Sequence, residues 1–285
     1  MSFALATCAA YPALTADDQH LARALTARGI DCVTPIWDDP REEWRGYDAI
    51  VIRSCWDYHQ RSGEFLAWLD QLEQHGARVV NPIPLLRWNL QKSYLRDLAE
   101  AGVPVTPTAW IGRGDTTPLA EVLRRHDWPE AVVKPVISAT ASGTWRVGRE
   151  PSEEEEARYA AQVRHCDMMV QPYVRSIEAT GELSFVFLGG RFSHAVRKRP
   201  RVGDFRVQSD FGGTVELAEP GDGLIQQAAA VVAAAPLSPL YARVDACEVH
   251  SDLVLMELEL IEPVLFFANE PRAPVRLADA LTALL

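Results

Sequence analysis

The sequence predicts an α/β protein whose N-terminal part alternates strands and helices and whose C-terminal part is α+β. Two apolar runs, Phe3–Cys8 and Asp48–Arg53, are typical of buried parallel strands and are separated by an amphipathic helical segment. Two later runs, Tyr241–Val249 and Leu253–Ile261, flank a short polar turn and indicate an antiparallel hairpin. A chain of 285 residues with 48% hydrophobic and 24% charged residues can bury these elements in a sizeable core.

The order of the elements divides the chain into three predicted domains. The N-terminal α/β domain, residues 1–86, also contains an amphipathic helix over Gly63–His75 and ends near two closely spaced prolines. The central domain, residues 87–172, begins with a helix from about Trp88 to Ala101. The C-terminal domain, residues 173–285, contains the hairpin and a closing helix.

The central domain contains a candidate phosphate-binding loop. Glu130–Pro135 is predicted to be a strand that leads into Val136–Thr144, a loop rich in small and hydroxylated residues. Backbone N–H groups of such a loop can approach phosphate oxygens, and Lys134 at the strand end would add a positive charge. The loop does not end in the Gly-Lys-Ser/Thr of a Walker A motif. Lys92, in the first helix of this domain, is predicted to be solvated.

Composition argues against several classes of protein. The net charge of −11 argues against non-specific nucleic-acid binding. The N-terminus lacks the basic region of a signal peptide and no apolar run is long enough to span a membrane, so a cytoplasmic protein is expected. Five cysteines without a CxxC pair indicate free thiols rather than a disulfide framework or a zinc site.

One basic cluster, Arg197–Arg201, stands out in this acidic chain. Alone it would fit a nucleic-acid patch. Because the chain is acidic overall and carboxylates lie nearby in sequence, a polyphosphate site is the preferred interpretation.

A polar and aromatic loop follows the strand Asp48–Arg53. In open parallel sheets ligands bind beyond the carboxyl ends of the strands, which makes this loop a candidate substrate wall. A surface loop with an aromatic plug explains the pattern equally well. The candidate substrate-binding residues are Arg53, which could hold a carboxylate, and Trp56, Asp57 and Tyr58.

Three carboxylates of the hairpin are candidate metal ligands. Side chains alternate between the two faces of a strand, so Glu257 and Glu259 share a face, and Asp245 can join them from the neighbouring strand. Oxygen ligands of this kind suit Mg²⁺ or Mn²⁺, which commonly share their coordination with substrate phosphates. A strand with one solvated face would show the same alternation, and the hairpin alone does not decide between the two.

Ordered sequence features across nearly the whole chain resemble the ATP-grasp superfamily of carboxylate–amine ligases. Each feature is weak by itself, but the ordered set is fairly specific. The features are Lys92 followed by Ala101–Thr108, Val133–Pro135 with its small-residue loop, Gln171–Val174, Gly181-Glu182, Arg206, and Arg243–Asp245 followed by Glu257–Glu259.

The resemblance implies a fold and a set of roles. The fold would be a Rossmann-like substrate-side lobe, residues 1–86, followed by two subdomains that clasp ATP, the second of which carries the metal site. Catalytic roles would fall to Lys134, to Arg206 at the transferring phosphate and to Arg243 at the tetrahedral intermediate. The implied nucleotide contacts are Lys92, Lys134, the loop residues Ser138, Ser142 and Gly143, the hinge Gln171, Pro172, Tyr173 and Val174, the ribose carboxylate Glu182, and Arg206.

One departure from the superfamily pattern concerns the metal site. The superfamily usually has Glu-x-Asn where this chain has Glu257-Leu-Glu259, so the local charge is more negative although a glutamate still binds Mg²⁺. Glu262, before Pro263, is a further metal ligand, a substrate contact or only a turn residue.

Three segments are most similar to a bacterial group that includes the cyclo-ligase of D-cycloserine biosynthesis. They are Arg53–Tyr58, Gly203–Gln208 and Glu257–Pro263. The group implies a carbon–nitrogen ligase that activates a substrate carboxylate with ATP as an acyl phosphate for attack by an amine-type nitrogen, closing O-ureido-D-serine into a ring. The partner would be a small carboxylate and amine substrate, without nucleic acid or membrane, and homo-oligomerisation stays open.

Two alternatives to cyclisation follow from the same residues. An intermolecular ligase would join an amino acid or peptide to an amine. A regulatory protein would bind ATP without catalysis, an alternative that the intact set of Arg243, Asp245, Glu257 and Glu259 disfavours.

Overall fold

The computed structural model describes residues 1–139, 142–201 and 212–284, and contains three four- or five-stranded sheets. Each sheet lies within one of the three predicted segments of the chain. The exact boundaries at 86/87 and 172/173 stay predictions.

The N-terminal sheet is entirely parallel, with strand order β2-β1-β3-β4. Every residue of β3 is buried, as its unbroken apolar sequence predicts for a strand covered on both faces. Its elements are β1 (Ser2–Thr7), α1 (Asp18–Thr26), β2 (Asp31–Val33), a 3₁₀ turn at Trp44–Gly46, β3 (Ala49–Ser54), a 3₁₀ turn at Tyr58–Gln60, α2 (Ser62–Gln74) and β4 (Val79–Val80).

The central sheet is antiparallel, with strand order β5-β8-β6-β7. The acidic helix α6 begins with a capping box, in which Ser152 and Glu155 exchange side-chain to backbone hydrogen bonds. The elements are α3 (Ile83–Asn89), α4 (Tyr94–Glu100), β5 (Ala109–Ile111), α5 (Leu119–Arg125), β6 (Glu130–Pro135), β7 (Trp145–Gly148), α6 (Glu153–His165) and β8 (Met168–Pro172).

The single helix predicted from Trp88 to Ala101 is wrong, because α3 and α4 are separate helices with Lys92 between them. Tertiary contacts explain the break. The Asn89 side chain donates to the carbonyl of Leu258 and accepts from the N–H of Leu260, each at 2.8 Å. The N–H of Lys92 donates to the carbonyl of Val136 instead of continuing a helix.

The C-terminal sheet is antiparallel, with strand order β11-β10-β9-β12-β13. Its last two strands are the predicted hairpin, which is confirmed. The elements are α7 (Ser176–Thr180), β9 (Glu182–Leu188), β10 (Arg191–Arg199), β11 (Thr214–Ala218), α8 (Asp222–Ala233), β12 (Tyr241–Val249), β13 (Asp252–Glu259) and α9 (Ala273–Thr282).

The N-terminal and C-terminal sheets share a core. Phe3 and Leu5 of β1 pack in one buried cluster with Leu188 of β9 and Leu277 of α9. The hydroxyl of Tyr241 lies within hydrogen-bond distance of three buried carbonyl oxygens, those of Ile52, Val80 and Ile261. This junction holds the carboxyl end of β3 against β12 and β13. Among the described residues, no helix combines the length and apolar character that a membrane span requires.

Candidate active site

A cavity of about 290 Å³ opens where the three sheets meet. Its lining comes from all three predicted domains, which explains why no single sequence segment reveals it. Fifteen of the predicted site residues line it: Trp56, Tyr58, Lys92, Lys134, Ser138, Gln171, Pro172, Tyr173, Val174, Glu182, Arg243, Asp245, Glu257, Glu259 and Glu262.

The hairpin places three carboxylates and one guanidinium on a single face. In the β12 and β13 register, Asp245 is opposite Glu257, and Arg243 is opposite Glu259. Directly opposed residues project to the same side of a sheet, and all four side chains line the cavity.

Basic side chains neutralise each of these carboxylates. Arg243 donates to Asp245 from Nε at 3.0 Å and from Nη2 at 2.8 Å, and also pairs with Glu259. Lys92 Nζ lies 3.0 Å from the carboxylate of Glu257. Across residues 1–139, 142–201 and 212–284, no cluster of three or more His, Cys, Asp or Glu side chains is arranged to hold a metal ion.

Lys198 also lines the cavity, although its charge alone does not separate it from the other basic residues of its cluster. Its ammonium pairs with Glu182 and lies 3.3 Å from Asp245, so it joins the predicted ribose carboxylate to a predicted metal ligand. Lys198 belongs to the basic cluster Arg197–Arg201. The alternation of side chains along β10 would have indicated which member of that cluster faces inward. Lys198 points inward, whereas Arg199 on the opposite face is exposed.

Electrostatics distinguish four of the five acidic groups that line the cavity. Burial by itself would raise the pKa of Asp245, but Arg243 and Lys198 hold that pKa well below its usual range. Burial raises the pKa of Glu259 to about 7 despite Arg243, and Glu257 contributes to the rise. Burial likewise raises the pKa of Glu182, and that of Glu262 to about 8. Of these four groups, Asp245 is the one whose lowered pKa keeps it ionised at neutral pH, so it would attract a bound cation most strongly.

The opposite wall of the cavity carries the predicted nucleotide residues. Lys134 is the penultimate residue of β6, and burial lowers the pKa of its ammonium to about 8. Gln171 and Pro172 end the neighbouring strand β8, and the Gln171 amide donates to Thr108 Oγ1 at 2.9 Å. The prediction that Lys92 is solvated is wrong. Its side chain is buried, and Nζ donates to the Ser138 carbonyl at 2.6 Å.

Part of the predicted phosphate loop lies outside the cavity lining. Ser142 and Gly143 are exposed, and the Gly143 carbonyl accepts from the Gln162 amide at 2.9 Å. Gly143 has a φ of +71°, and an added Cβ would lie 2.9 Å from Pro135 Cγ, so glycine is required there. Arg206, together with Gly203–Gln208, lies outside the described residues.

The loop after β3 separates into residues that line the cavity and residues that support it. Trp56 and Tyr58 line the cavity. Arg53 does not: it is fully buried, and its guanidinium donates to Asp18 at 2.8 Å and to the Pro263 carbonyl at 2.6 Å. Asp57 pairs with Arg61 and accepts from Trp37 Nε1. These partners give Arg53 and Asp57 a supporting position.

The chemistry of the lining fits a magnesium–nucleotide complex. Asp245, Glu257 and Glu259 supply only oxygen donors, the ligands that Mg²⁺ prefers. Each is balanced by a basic side chain that could instead meet phosphate oxygens. Lys92, Lys134 and Lys198 bring three ammonium groups to the same cavity, as a polyphosphate would require.

Comparison with known proteins identifies relatives of this chain. A family model described as the N-terminal domain of D-cycloserine synthetase DcsG matches residues 3–81. The cycloserine biosynthesis protein DcsG of Streptomyces lavendulae is 33% identical over 298 residues, covering 98% of this chain and 97% of that protein.

Solved structures show the same fold. The crystal structure of D-cycloserine synthetase DcsG superposes with a TM-score of 0.89 at 30% identity, covering 100% of this chain and 99% of the other. D-alanine–D-alanine ligase from Bacillus anthracis, complexed with ATP, superposes with a TM-score of 0.72 at 15% identity, covering 99% and 96%. The resemblance to ATP-grasp proteins is confirmed: the chain is an ATP-grasp ligase and belongs to the family of D-cycloserine synthetase DcsG.

Proposed function

We propose that the protein is an ADP-forming ligase that uses Mg·ATP to cyclise O-ureido-D-serine to D-cycloserine. One observation carries the proposal. A single cavity joins the predicted nucleotide lysines to the set of Arg243, Asp245, Glu257 and Glu259, in a chain similar over its whole length to a cycloserine biosynthesis protein.

The lysines of the cavity would bind and orient the ATP phosphates. Lys134 has no ion pair with an acidic side chain of the described residues, so its ammonium is available to a phosphate oxygen. Lys92 is held by Glu257 and by Ser138, and a phosphate could replace either partner. Both groups would neutralise charge that develops on the transferring phosphoryl group.

Asp245, Glu257 and Glu259 would hold Mg²⁺, or Mn²⁺ in its place. The ion would supply charge neutralisation to the phosphates of ATP. Lys92 would then be released from Glu257, since the metal compensates that carboxylate.

Arg243 is proposed to act in the second step, when the amine-type nitrogen attacks the acyl carbon. It is 8% exposed, and its guanidinium is fixed by Asp245, Glu259 and the Val264 carbonyl. A fixed guanidinium that lines the cavity can stabilise an oxyanion as the acyl centre becomes tetrahedral. Arg206, outside the described residues, is proposed to assist at the transferring phosphate.

The proposed reaction balances without an oxidant or reductant. The substrate carboxylate would take the γ-phosphoryl group of ATP, releasing ADP and forming an acyl phosphate. The ureido nitrogen bonded to oxygen would attack the acyl carbon of the same molecule and lose a proton as phosphate leaves. Water would then cleave the bond between this nitrogen and the carbamoyl group, which leaves as CO2 and ammonia, and D-cycloserine remains. Apolar groups of the lining, among them Leu258, Ile261 and Val264, would limit competing hydrolysis.

Phosphate release from Mg·ATP, measured against a panel of amino acids that includes O-ureido-D-serine, tests the proposal. We expect ADP together with a product that is lighter than O-ureido-D-serine by the elements of CO2 and ammonia in the mass spectrum. Lys134→Ala is the matched variant and should weaken ATP binding while leaving the thermal transition intact. ADP formation only with two substrates together would identify an intermolecular ligase, and ATP binding without turnover on any substrate would favour a non-catalytic role.

A further inference from the structure

The cavity contains an acidic group, Glu262, that the proposed phosphate chemistry does not use. Glu262 lies beyond the last strand of the C-terminal sheet and is 8% exposed, yet it lines the cavity. In the described part of the chain, no lysine or arginine forms an ion pair with it, in contrast to Asp245, Glu257 and Glu259. Burial disfavours the charged form of a carboxyl that has no cationic partner, and a cationic ligand in the cavity would supply that partner.

Two arginines, Arg53 and Arg243, exert a favourable positive charge on Glu262, but both already bind other protein groups. Arg53 is bound to Asp18 and to the Pro263 carbonyl. Arg243 is bound to Asp245, to Glu259 and to the Val264 carbonyl. Both arginines therefore hold the backbone directly after Glu262, at Pro263 and Val264, and form no ion pair with its carboxylate.

The backbone at Glu262 is fixed, so the carboxylate has a defined position. Trp56 Nε1 donates to the Glu262 carbonyl at 3.3 Å, and Arg53 donates to the next carbonyl, that of Pro263, at 2.6 Å. The following proline restricts the backbone further. A carboxylate held in this way is organised before a ligand binds, which lowers the entropic cost of recognition.

The surroundings of Glu262 favour a small organic cation over a second metal ion. Trp56, Tyr58 and Phe266 line the same cavity, and aromatic faces attract ammonium groups. Tyr58 is close enough that Glu262 is the leading charge that raises the pKa of its phenol, after burial. An ammonium group can satisfy the carboxylate and pack against aromatic rings at the same time.

We propose that Glu262 is a specificity-determining residue that binds the ammonium group of the substrate, so that the enzyme selects amino acids over acids without an amine. The inference rests on the proposed function, because it assigns a chemical group of the substrate to a position in the same cavity. The substrate carboxylate would then face Arg243, and the nucleotide would lie towards Lys134.

Paired ligands test the ammonium site in the wild-type protein. O-ureido-D-serine and D-alanine are compared with their counterparts that lack the amine, 3-(ureidooxy)propanoate and propanoate, by calorimetry in the presence of Mg²⁺ and a non-hydrolysable ATP analogue. We expect at least one amine-bearing ligand to bind ten times or more tightly than its counterpart. If neither pair shows a preference for the amine, the proposal is overturned.

Two variants assign the preference to Glu262. In Glu262→Gln we expect the preference to fall at least tenfold, while the affinity for the ATP analogue stays within twofold of wild type. Glu270→Gln changes a carboxylate of the same segment outside the cavity and should keep the full preference. An unchanged preference in Glu262→Gln overturns the assignment. If Glu262→Gln does not fold, Glu262→Asp, which keeps the charge but draws it back, should weaken the preference, and an unchanged preference in that variant also overturns it.

The outcomes separate this inference from the proposed function. If O-ureido-D-serine yields no ADP but another amino acid shows the Glu262-dependent preference, cyclisation is wrong and the ammonium site stands. If O-ureido-D-serine is cyclised with equal efficiency by wild type and Glu262→Gln, cyclisation stands and the ammonium site is wrong.

Discussion

Arg53 and Arg243 are two buried arginines with opposite surroundings. Arg53 is fully buried beneath the loop after β3 and binds Asp18 and the Pro263 carbonyl. Arg243 is nearly as buried but lies on a sheet face that opens into the cavity, and its partners Asp245 and Glu259 line that cavity. Both arginines also brace the segment that carries Glu262.

The comparison shows that burial and ion pairing alone do not identify a catalytic arginine. What differs is whether the partners face protein on every side or face a cavity. A pair enclosed by protein stabilises the fold by avoiding an unpaired charge, whereas a pair on a cavity wall can exchange one partner for a substrate. Substitutions should follow this division, with the largest expected change in free energy at Arg53 and the smallest at Lys134.

Arg53→Met should destabilise the fold, because Asp18 would be left buried without its cationic partner. We expect a loss of about 3–5 kcal/mol in the free energy of unfolding, measured by urea denaturation. The double variant with Asp18→Asn should recover much of that loss, since no charge is then stranded. If Arg53→Met lost activity but kept full stability, the supporting role would be contradicted, and Arg53 would instead be identified as a substrate-binding residue.

Arg243→Ala should mainly remove catalysis. Loss of a fixed donor to a developing oxyanion typically costs about 100-fold to 1000-fold in kcat. The measurement is ADP formation at saturating substrate, corrected for the folded fraction. A kcat within fivefold of wild type would place Arg243 with Arg53 among the structural arginines.

Asp245→Asn together with Glu257→Gln should weaken the response to Mg²⁺. We expect the Mg²⁺ concentration for half-maximal ATP turnover to rise at least about 10-fold to 100-fold, the range typical of disturbed metal sites. Glu270→Gln is the matched control, because it alters a carboxylate outside the cavity. Unchanged turnover in the double variant would make the carboxylate set structural.

Lys134 should make ATP affinity depend on pH. Burial lowers the pKa of its ammonium to about 8, so the group is charged below that pH and becomes neutral above it. A phosphate prefers the charged form, and the dissociation constant for ATP should rise by up to about tenfold per pH unit above 8. Lys134→Arg should bind ATP with little change over the same range, and an equal slope in both proteins would assign the titration to another group.

Several features of the site could be predicted from sequence because they depend on local spacing. The alternation of Glu257 and Glu259 places both on one face of any strand, and the hairpin turn brings Asp245 opposite. The same logic applied to β10 would have selected Lys198 from its basic cluster, since only one face of that strand meets the cavity.

Other features depend on contacts between distant segments. Lys92 is buried because Asn89 and Leu258 interrupt the helix expected around it, and its partners Ser138 and Glu257 come from two other elements. The roles of Arg53 and Trp56 likewise depend on a chain segment more than 200 positions away in sequence.

The sequence by itself determined the fold class, the order of its elements and the oxygen-rich face of the hairpin, because periodicity and short-range geometry are local properties. The tertiary structure decided which charges face one another. It pairs Arg53 with Asp18 away from the cavity, places Lys198 between Glu182 and Asp245, and leaves Glu262 in the cavity lining without an ion pair among the described residues. These outcomes depend on tertiary structure because the free energy of a buried charge depends on which partners the folded chain brings within a few ångströms.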